Sequence, residues 1–252
     1  MKLIKAFALF LTISFFQTGF SQNKQFKALL VTNTSGFHHE SIHTGVLAIQ
    51  ELGQKHHFDV SLLAGQNDFN EKFLAQFQVI IFLNTTGNIF DSAKQKAMEK
   101  FIQSGKGFVG IHSASDTEYD WEWYTKLVGR MFVAHPAIQT ARIFTVDNSF
   151  PGLQPFASGI LWTDEWYEFT AEKIPGLNYL LAIDEESYSP RKKGSHVTGK
   201  DKSSMHPLAW HHEYDGGRSF YTALGHVPAV FHNQLFLDHL YAGIRWAATG
   251  KK

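Results

Sequence analysis

The stretch QVIIFLNTTG, residues 78–87, carries five consecutive apolar residues and then turns polar. A run that is apolar at every position is typical of a central strand in a parallel sheet, because both faces of such a strand are buried. The stretch GFVGIHSASD, residues 107–116, repeats the pattern. Between the two stretches, Asp91 is suited to cap a helix that Gly105 would end. Together they predict a strand–helix–strand unit with parallel strands.

The flanking sequence extends this unit in both directions. Upstream, residues 26–32 and 58–63 read as strands, and the apolar spacing over residues 41–56 is helical. Downstream we expect a short helix at residues 121–128 and a closing helix at residues 231–248. Between them we expect four strands, at residues 140–147, 179–184, 207–214 and 218–224, and an exposed basic loop at residues 190–203. The alternation predicts an α/β fold, a doubly wound and mostly parallel sheet with helices on both faces, of the flavodoxin-like kind.

Residues 1–21 read as a secretory signal peptide. Two lysines precede a short apolar run, Ala6–Phe16, and small residues lead up to a cleavage point after Ser21. The apolar run is shorter than the roughly 20 residues that span a bilayer. We therefore expect a secreted or periplasmic protein without a membrane span, in which residues 22–252 form a single domain.

The composition narrows the classes of partner. The 23 Lys and Arg residues balance the 23 Asp and Glu residues, so we expect no concentrated basic surface and no nucleic-acid partner. The chain has no cysteine, which excludes thiolate catalysis and cysteine-ligated metals. Its 14 histidines and 15% aromatic residues are what a carbohydrate site or a metal site could use. The same composition permits a homodimer.

Ligand sites of open parallel sheets lie beyond the carboxyl ends of the strands. Three predicted strand ends carry hydrogen-bonding side chains, at residues 33–40, 84–87 and 112–116. From them we take Asn84 as a substrate-binding residue and His38 as a substrate-binding or metal-ligating one. On an extended backbone the adjacent His39 would point the other way and face water. The alternative is that both histidines belong to an exposed loop.

Two histidines are the strongest catalytic candidates. His112 is expected at a sharp strand-to-helix turn, which pushes a side chain into the crevice. Asp116 would share its helical face and either orient the imidazole or join it in binding a metal, unless it only caps the helix. His226 follows Gly225 at the end of a late strand. Imidazoles have the intrinsic pKa that acid–base catalysis near neutrality needs, although each of these residues could instead be structural.

Two later segments, WTDEWYE from residue 162 and PLAWHH from residue 207, add further candidates. Carboxylates interleaved with aromatic rings suit a sugar, whose apolar faces stack on rings while its hydroxyl groups bond to acids, although the same pattern fits an amphipathic strand. Adjacent histidines in a strand point to opposite faces, so only one of the second pair can reach a site. The residues chosen are Glu165 as a catalytic acid, Trp166 and Tyr167 as sugar-stacking rings, and His211 as a substrate-binding imidazole.

These segments resemble the ThuA-like family, named for trehalose utilisation, over nearly all of the predicted domain. The resemblance rests on SGFHH, GFVGIHSASD, TDEWY, RSFYTALGH and GIRWA, which begin at residues 35, 107, 163, 218 and 243. It implies a class I glutamine amidotransferase-like fold, with His112 at the position of the catalytic cysteine and His226 near that of the catalytic histidine. Without a thiol, glutamine hydrolysis by that route is excluded. The resemblance also implies carbohydrate metabolism, because members of the family are associated with trehalose and related disaccharides and with enzymes that oxidise sugars to 3-keto forms.

Three functions stay open on the sequence alone. The first is an enzyme acting on a keto-disaccharide or glycoside, in which a ketone acidifies the neighbouring C–H and histidines or a divalent metal assist. The second is a noncatalytic sugar-binding protein that has lost the amidotransferase nucleophile. The third is a metal-binding protein, because a zinc-like site needs three or four ligands and His38, His112 and His226 could supply them.

Overall fold

The computed structural model describes residues 24–63, 65, 68–189 and 205–252. The predicted signal segment and the predicted basic loop lie outside these residues. Within them the chain forms helices α1 (Ser41–His56), α2 (Glu71–Leu74), α3 (Ser92–Gln103), α4 (Glu122–Val128) and α5 (Gln234–Thr249). The strands are β1 (Lys27–Val31), β2 (Asp59–Leu62), β3 (Val79–Leu83), β4 (Gly107–Ile111), β5 (Phe132–Ala134), β6 (Gln139–Thr145), β7 (Ile160–Asp164), β8 (Glu168–Phe169), β9 (Asn178–Ile183), β10 (His206–Tyr214) and β11 (Gly217–Thr222).

Nine of the described strands build one large sheet in the order β2-β1-β3-β4-β11-β10-β9-β6-β7. Pairing is parallel from β2 to β11 and antiparallel from β11 to β7. The α/β prediction is confirmed, although the sheet is mixed rather than dominated by parallel strands. Parallel strands need crossovers of a dozen residues or more, usually helical. No α-helix lies between β6 and β10 in the described residues, so that half of the sheet runs antiparallel.

Most predicted elements lie within a residue or two of their observed bounds. The helix α1 and the strand β4 have the predicted limits. Three short strands escaped prediction: β5, β7 and β8, of which β5 and β8 pair in a small separate sheet. With three and two residues, β5 and β8 are too short to show a period of two. The five-residue β7 overlaps the segment WTDEWYE, whose pattern also fits an amphipathic strand. The closing helix begins at Gln234, because Pro228–His232 forms a 3-10 turn ahead of it.

Helices cover both faces of the sheet, as predicted. Trp121 and Tyr124 tie α3 and α4 to one face, through a hydrogen bond to Glu99 and a ring contact with Phe82. The opposite face carries α1 and α5, and α5 approaches β4 closely at Gly107. A methyl group on Gly107 would stand 2.2 Å from the backbone oxygen of Ala247. No helix in the described residues has the length and apolarity to cross a membrane.

Three residues with a left-handed backbone lie at the carboxyl-end edge of the parallel strands, where the candidate site residues also lie. Asn84 after β3 has φ 50°, His112 after β4 has φ 49°, and Glu118 in the following loop has φ 53°. A residue with a Cβ pays roughly 1–2 kcal/mol to adopt this left-handed conformation. Such positions cluster at ligand and active sites, where the surrounding structure holds them in place.

Candidate functional site

Three imidazoles and one carboxylate converge beyond the carboxyl ends of β4 and β11. They belong to His39, His112, Glu165 and His226, and one ligand-capable atom from each lies within 4.8 Å of the others. Each residue comes from a different segment, following β1, β4, β7 and β11 respectively. We call these four residues the histidine–glutamate cluster.

The separations within the cluster suit a tetrahedral metal ion. His112 Nε2 lies 3.2 Å from His226 Nδ1 and 3.5 Å from Glu165 Oε2. His226 Nδ1 lies 3.0 Å from the same carboxylate oxygen. Zinc bonds of about 2.0–2.1 Å in tetrahedral geometry separate two ligand atoms by about 3.3 Å. The three atoms therefore fit one face of such a tetrahedron, and His39 stands close enough to complete it.

His112 is held in one tautomer. Its Nδ1 lies 2.8 Å from the carbonyl oxygen of Ala223, which can only accept, so the ring proton is on Nδ1. Nε2 then keeps its lone pair toward the cluster. The Tyr167 ring supports the imidazole, with centroids 4.1 Å apart. A hydrogen bond from the far nitrogen to a carbonyl is the usual arrangement of a metal-binding histidine.

Glu165 is the charge at the centre of the cluster. Burial raises the pKa of this carboxyl group, but the adjacent imidazoles of His112, His135 and His226 outweigh burial and hold its pKa well below the usual range. The carboxylate is thus ionised at neutral pH. Its Oε2 faces His112 and His226, while its Oε1 lies 2.9 Å from Nδ1 of His135, a residue that is only partly buried.

His39 is a neutral imidazole. Burial, with the neighbouring His112 and His226, lowers its pKa to about 3, although Glu165 acts in the opposite direction. Its Nδ1 lies 3.3 Å from the hydroxyl oxygen of Ser113, and its ring meets the rings of His112 and His226 edge-on at 4.9 and 5.1 Å. A neutral histidine is the form that binds a metal.

Asp164 joins two of the segments that carry the cluster. Its buried carboxylate accepts backbone N–H bonds from Glu165, on its own strand end, and from the three residues of the loop after β11, Gly225, His226 and Val227, at 2.8–3.1 Å. Burial raises the pKa of Asp164, and the nearby His112 and the N–H donors oppose that effect. This side chain fixes where Glu165 and His226 stand relative to each other.

Asn84 is fully buried, and it supports the loop after β11 rather than facing a ligand. Its amide donates to the Ser41 hydroxyl at 2.7 Å and to the Gly225 carbonyl at 3.2 Å. The Ser41 hydroxyl donates to the same carbonyl at 2.9 Å. The left-handed turn at Asn84 directs the amide under the loop, which corrects the prediction that it binds substrate directly.

Asp116 lies beside the cluster but outside it. Residues His112–Asp116 form a 3-10 helix, and with three residues per turn the fifth residue does not stand over the first. The predicted shared face with His112 is therefore absent. The Asp116 carboxylate accepts a hydrogen bond of 2.7 Å from the hydroxyl of Tyr119, and burial raises its pKa.

The geometry also reverses the choice between the adjacent histidines. His38 is exposed, with Nδ1 3.3 Å from the hydroxyl oxygen of Thr34, whereas the buried His39 enters the cluster. The prediction assumed an extended backbone, but the chain turns into α1 here, and the Ile42 N–H donates to the His39 carbonyl. His38 is thus not placed to join His112 and His226 around a metal.

Three other candidates are packed in the interior. His211 contacts Trp246 at 4.5 Å and Phe150 at 5.0 Å, on the α5 face of the sheet and away from the cluster. Trp166 is fully buried, and Tyr167 is almost so. The rings of Trp166 and Tyr167 cannot stack on a sugar in this conformation, because core packing already covers them. Tyr167 instead supports His112.

The sequence pattern favoured His38 over His39, and it singled out neither His135 nor Asp164 as a site residue. His135 follows the short strand β5, whose pairing with β8 brings it to Glu165. No periodic signal marks so short a strand. Asp164 did carry a signal, because it alternates with the buried Trp162 along β7 and so points to the same interior face.

The family model described as "ThuA: Trehalose utilisation" matches residues 27–247. The chain belongs to the ThuA family. The match spans β1 to the last turns of α5, and so includes all four residues of the cluster. No curated protein sequence matches this ThuA chain.

Solved structures share the fold. A ThuA-like protein from Bacteroides uniformis superposes with a TM-score of 0.74 at 19% identity, covering 94% of this chain and 97% of that one. A ThuA-like protein from Parabacteroides merdae gives 0.71 at 18% identity, covering 90% and 91%. A β-galactosidase from Bacillus circulans gives 0.54 at 16% identity, and the match covers 86% of this chain but 30% of that enzyme. At these identities the likeness is one of fold.

Proposed function

We propose that this ThuA protein is a carbohydrate-processing enzyme whose histidine–glutamate cluster binds a divalent, zinc-like metal ion. The observation that carries the proposal is the convergence of the buried His39, His112 and Glu165 and the partly buried His226, from four separate segments. A protein has little structural reason to gather three imidazoles around a carboxylate in its interior, because burying these groups is costly unless they bond or bind.

The residues present fit such a metal in number, chemistry and spacing. Three imidazole nitrogens and a carboxylate oxygen are ligands that zinc accepts. The Ala223 carbonyl already orients His112, and the lowered pKa of His39 keeps that ring neutral. When bound, the metal would supply Lewis-acid polarisation of a carbonyl oxygen.

The substrate class proposed is a disaccharide or glycoside, in its 3-keto form where chemistry occurs. A ketone acidifies the C–H bonds beside it, so a base can start elimination, hydrolysis or isomerisation. His135 lies beside the Glu165 carboxylate: its Nδ1 lies 2.9 Å from both Glu165 Oε1 and the Pro136 carbonyl oxygen.

One experiment tests both halves of the proposal. The purified protein is analysed for bound metal. It is also incubated, with and without chelator, with trehalose and 3-keto-trehalose and with other disaccharides and their 3-keto forms. We expect a stoichiometric divalent metal and conversion of the keto forms that chelator abolishes and metal restores. A metal-free protein that turns over keto-sugars would refute the metal role. A metal-loaded protein inert toward the whole panel would favour a noncatalytic function.

Two further proposals concern the setting in which the protein acts. We propose export to the periplasm or the medium, on the signal-like residues 1–21, which cell fractionation and N-terminal mass determination would test. The composition permits a homodimer, and sedimentation analysis would measure the oligomeric state.

A further inference from the structure

Phe37 stands exposed at the border of the histidine–glutamate cluster. About 64% of the residue is accessible to solvent, although phenylalanine is usually buried. Its ring meets that of His39 edge-on, with centroids 4.8 Å apart, and His39 in turn touches His112 and His226. An apolar ring therefore borders a strongly polar centre.

The exposure of Phe37 is built into its loop. The Ser35 N–H donates to the Thr86 carbonyl at 2.8 Å, and the Ser35 hydroxyl donates to the Asn88 carbonyl at 2.7 Å. The Thr86 hydroxyl accepts from the Gly36 N–H at 3.2 Å and donates to the carbonyl of Phe37 itself at 2.8 Å. Four hydrogen bonds thus hold the backbone of residues 35–37 in place, and with it the Cα from which the exposed ring extends.

The neighbours of the ring indicate what covers it. On the same loop Ser35, Gly36, His38 and Glu40 are exposed, so Phe37 is a single apolar ring among hydrogen-bonding groups. A protein interface would present a continuous apolar patch. A pyranose ring instead combines one apolar C–H face with hydroxyl groups around its rim. Such a ligand matches an isolated aromatic ring beside imidazoles and a carboxylate.

We propose that Phe37 is the sugar-stacking platform of the site, and that it binds the apolar face of a pyranose ring whose oxygens reach toward the cluster. The inference rests on the proposed carbohydrate function and identifies the residue that recognises the sugar. It replaces the buried Trp166 and Tyr167 in that role.

The test is a binding titration of the full mature chain with trehalose and with 3-keto-trehalose, each on metal-loaded and on chelator-treated protein. The variants are Phe37→Ala, Phe37→Trp and, as a matched control, Leu161→Ala, which truncates a residue 75% exposed on β7. We expect Phe37→Ala to weaken binding at least about ten-fold, because the stacked apolar area is lost. Phe37→Trp should bind within about three-fold of the unaltered protein, since it keeps an aromatic face.

The outcomes separate this inference from the proposed catalysis. If Phe37→Ala binds the sugars as tightly as the unaltered protein, Phe37 is not the stacking platform. The proposal also fails if the unaltered protein binds neither sugar. If Phe37→Ala loses binding while no turnover is seen on any keto-sugar, the platform stands and the enzymatic proposal fails. An equal loss in Leu161→Ala would also overturn the specific role of Phe37. Unchanged thermal unfolding of each variant confirms that the fold is intact.

Discussion

At the scale of the residue, His112 is constrained from two directions. Its left-handed backbone turns the side chain out of the line of β4, and its Nδ1 bond to the Ala223 carbonyl fixes which nitrogen faces the cluster. The backbone conformation alone would leave the imidazole ring free to rotate and its proton free to move between the two nitrogens. Together the two constraints present one lone pair at one point, which is what metal coordination or proton abstraction needs.

We predict that His112→Asn removes metal binding and turnover while keeping the fold. Asparagine tolerates a left-handed backbone better than alanine, so the variant isolates the loss of the imidazole. Metal affinity should fall by about 100-fold or more, and turnover of a 3-keto-disaccharide by at least about 100-fold. The matched control is His43→Asn, at an exposed position on α1.

Calorimetric metal titration and steady-state kinetics measure the two effects. If His112→Asn retained full metal affinity and turnover, His112 would have neither role. Loss of secondary structure in the circular dichroism spectrum would show instead that the residue is required for folding.

At the scale of the element, the site depends on how the end of β7 is attached to the loop after β11. The Asp164 carboxylate makes that attachment through backbone N–H groups alone, so it works whatever the neighbouring side chains are. Asn84 and Ser41 hold the same loop from the other side through the Gly225 carbonyl. The position of His226 is therefore set by buried hydrogen bonds from three side chains, Asp164, Asn84 and Ser41, on distant segments.

We predict that Asp164→Asn lowers both stability and metal affinity. One carboxylate oxygen would become an NH₂ group that faces a backbone N–H donor, leaving a buried donor without an acceptor. The free energy of unfolding should fall by about 2–3 kcal/mol, and metal affinity by at least about ten-fold, because Glu165 and His226 would no longer be held together. Urea denaturation and calorimetry measure the two quantities.

Asp147→Asn is the control, since this exposed carboxylate accepts hydrogen bonds from the Ser149 N–H and hydroxyl in a turn remote from the cluster. A fully stable Asp164→Asn variant with unchanged metal affinity would contradict the role assigned to Asp164. Lost stability with unchanged metal affinity would restrict that role to folding.

At the scale of the whole molecule, buried neutral histidines tie stability to pH. Burial lowers the pKa of His39 and His239 to about 3, and of His211 and His212 to about 4, from the ordinary 6.5. Below pH 6.5 these four histidines bind protons in the unfolded chain but stay neutral in the folded chain. The stability these groups contribute is therefore complete above that pH and is lost as the pH falls toward about 4 for His211 and His212 and about 3 for His39 and His239.

We predict that His239→Gln flattens this dependence. His239 is fully buried among Phe156, Phe220 and Phe236, with Nε2 3.3 Å from the Thr222 hydroxyl oxygen, a contact that glutamine can replace. Between pH 7 and pH 5 the unaltered protein should lose about 2 kcal/mol more stability than the variant. Urea unfolding at the two pH values measures the difference. An identical loss in both proteins would mean that His239 is not the neutral group inferred, and His43→Gln serves as the exposed control.

The local sequence determined the order of the elements and the edge of the sheet where a site would form. Apolar runs predicted β1, β3 and β4, and helical spacing predicted α1. The capping residues Asp91 and Gly105 predicted α3, and polar residues at the strand ends indicated the crevice. These features depend on near neighbours in the chain, so a period or a cap is enough to find them. His112, Glu165 and His226 could be chosen for the same reason, since each lies next to a predicted strand or an aromatic–acidic segment.

Only the tertiary structure decided which side chains meet. His39 replaced His38 because the chain turns into α1, and Asp116 left the site because a 3-10 helix replaced an α-helical turn. His135 and Asp164 joined it through pairings between segments that are far apart in sequence. Such choices depend on single backbone dihedrals and on how distant strands pack. Neither leaves a periodic trace in the amino-acid sequence.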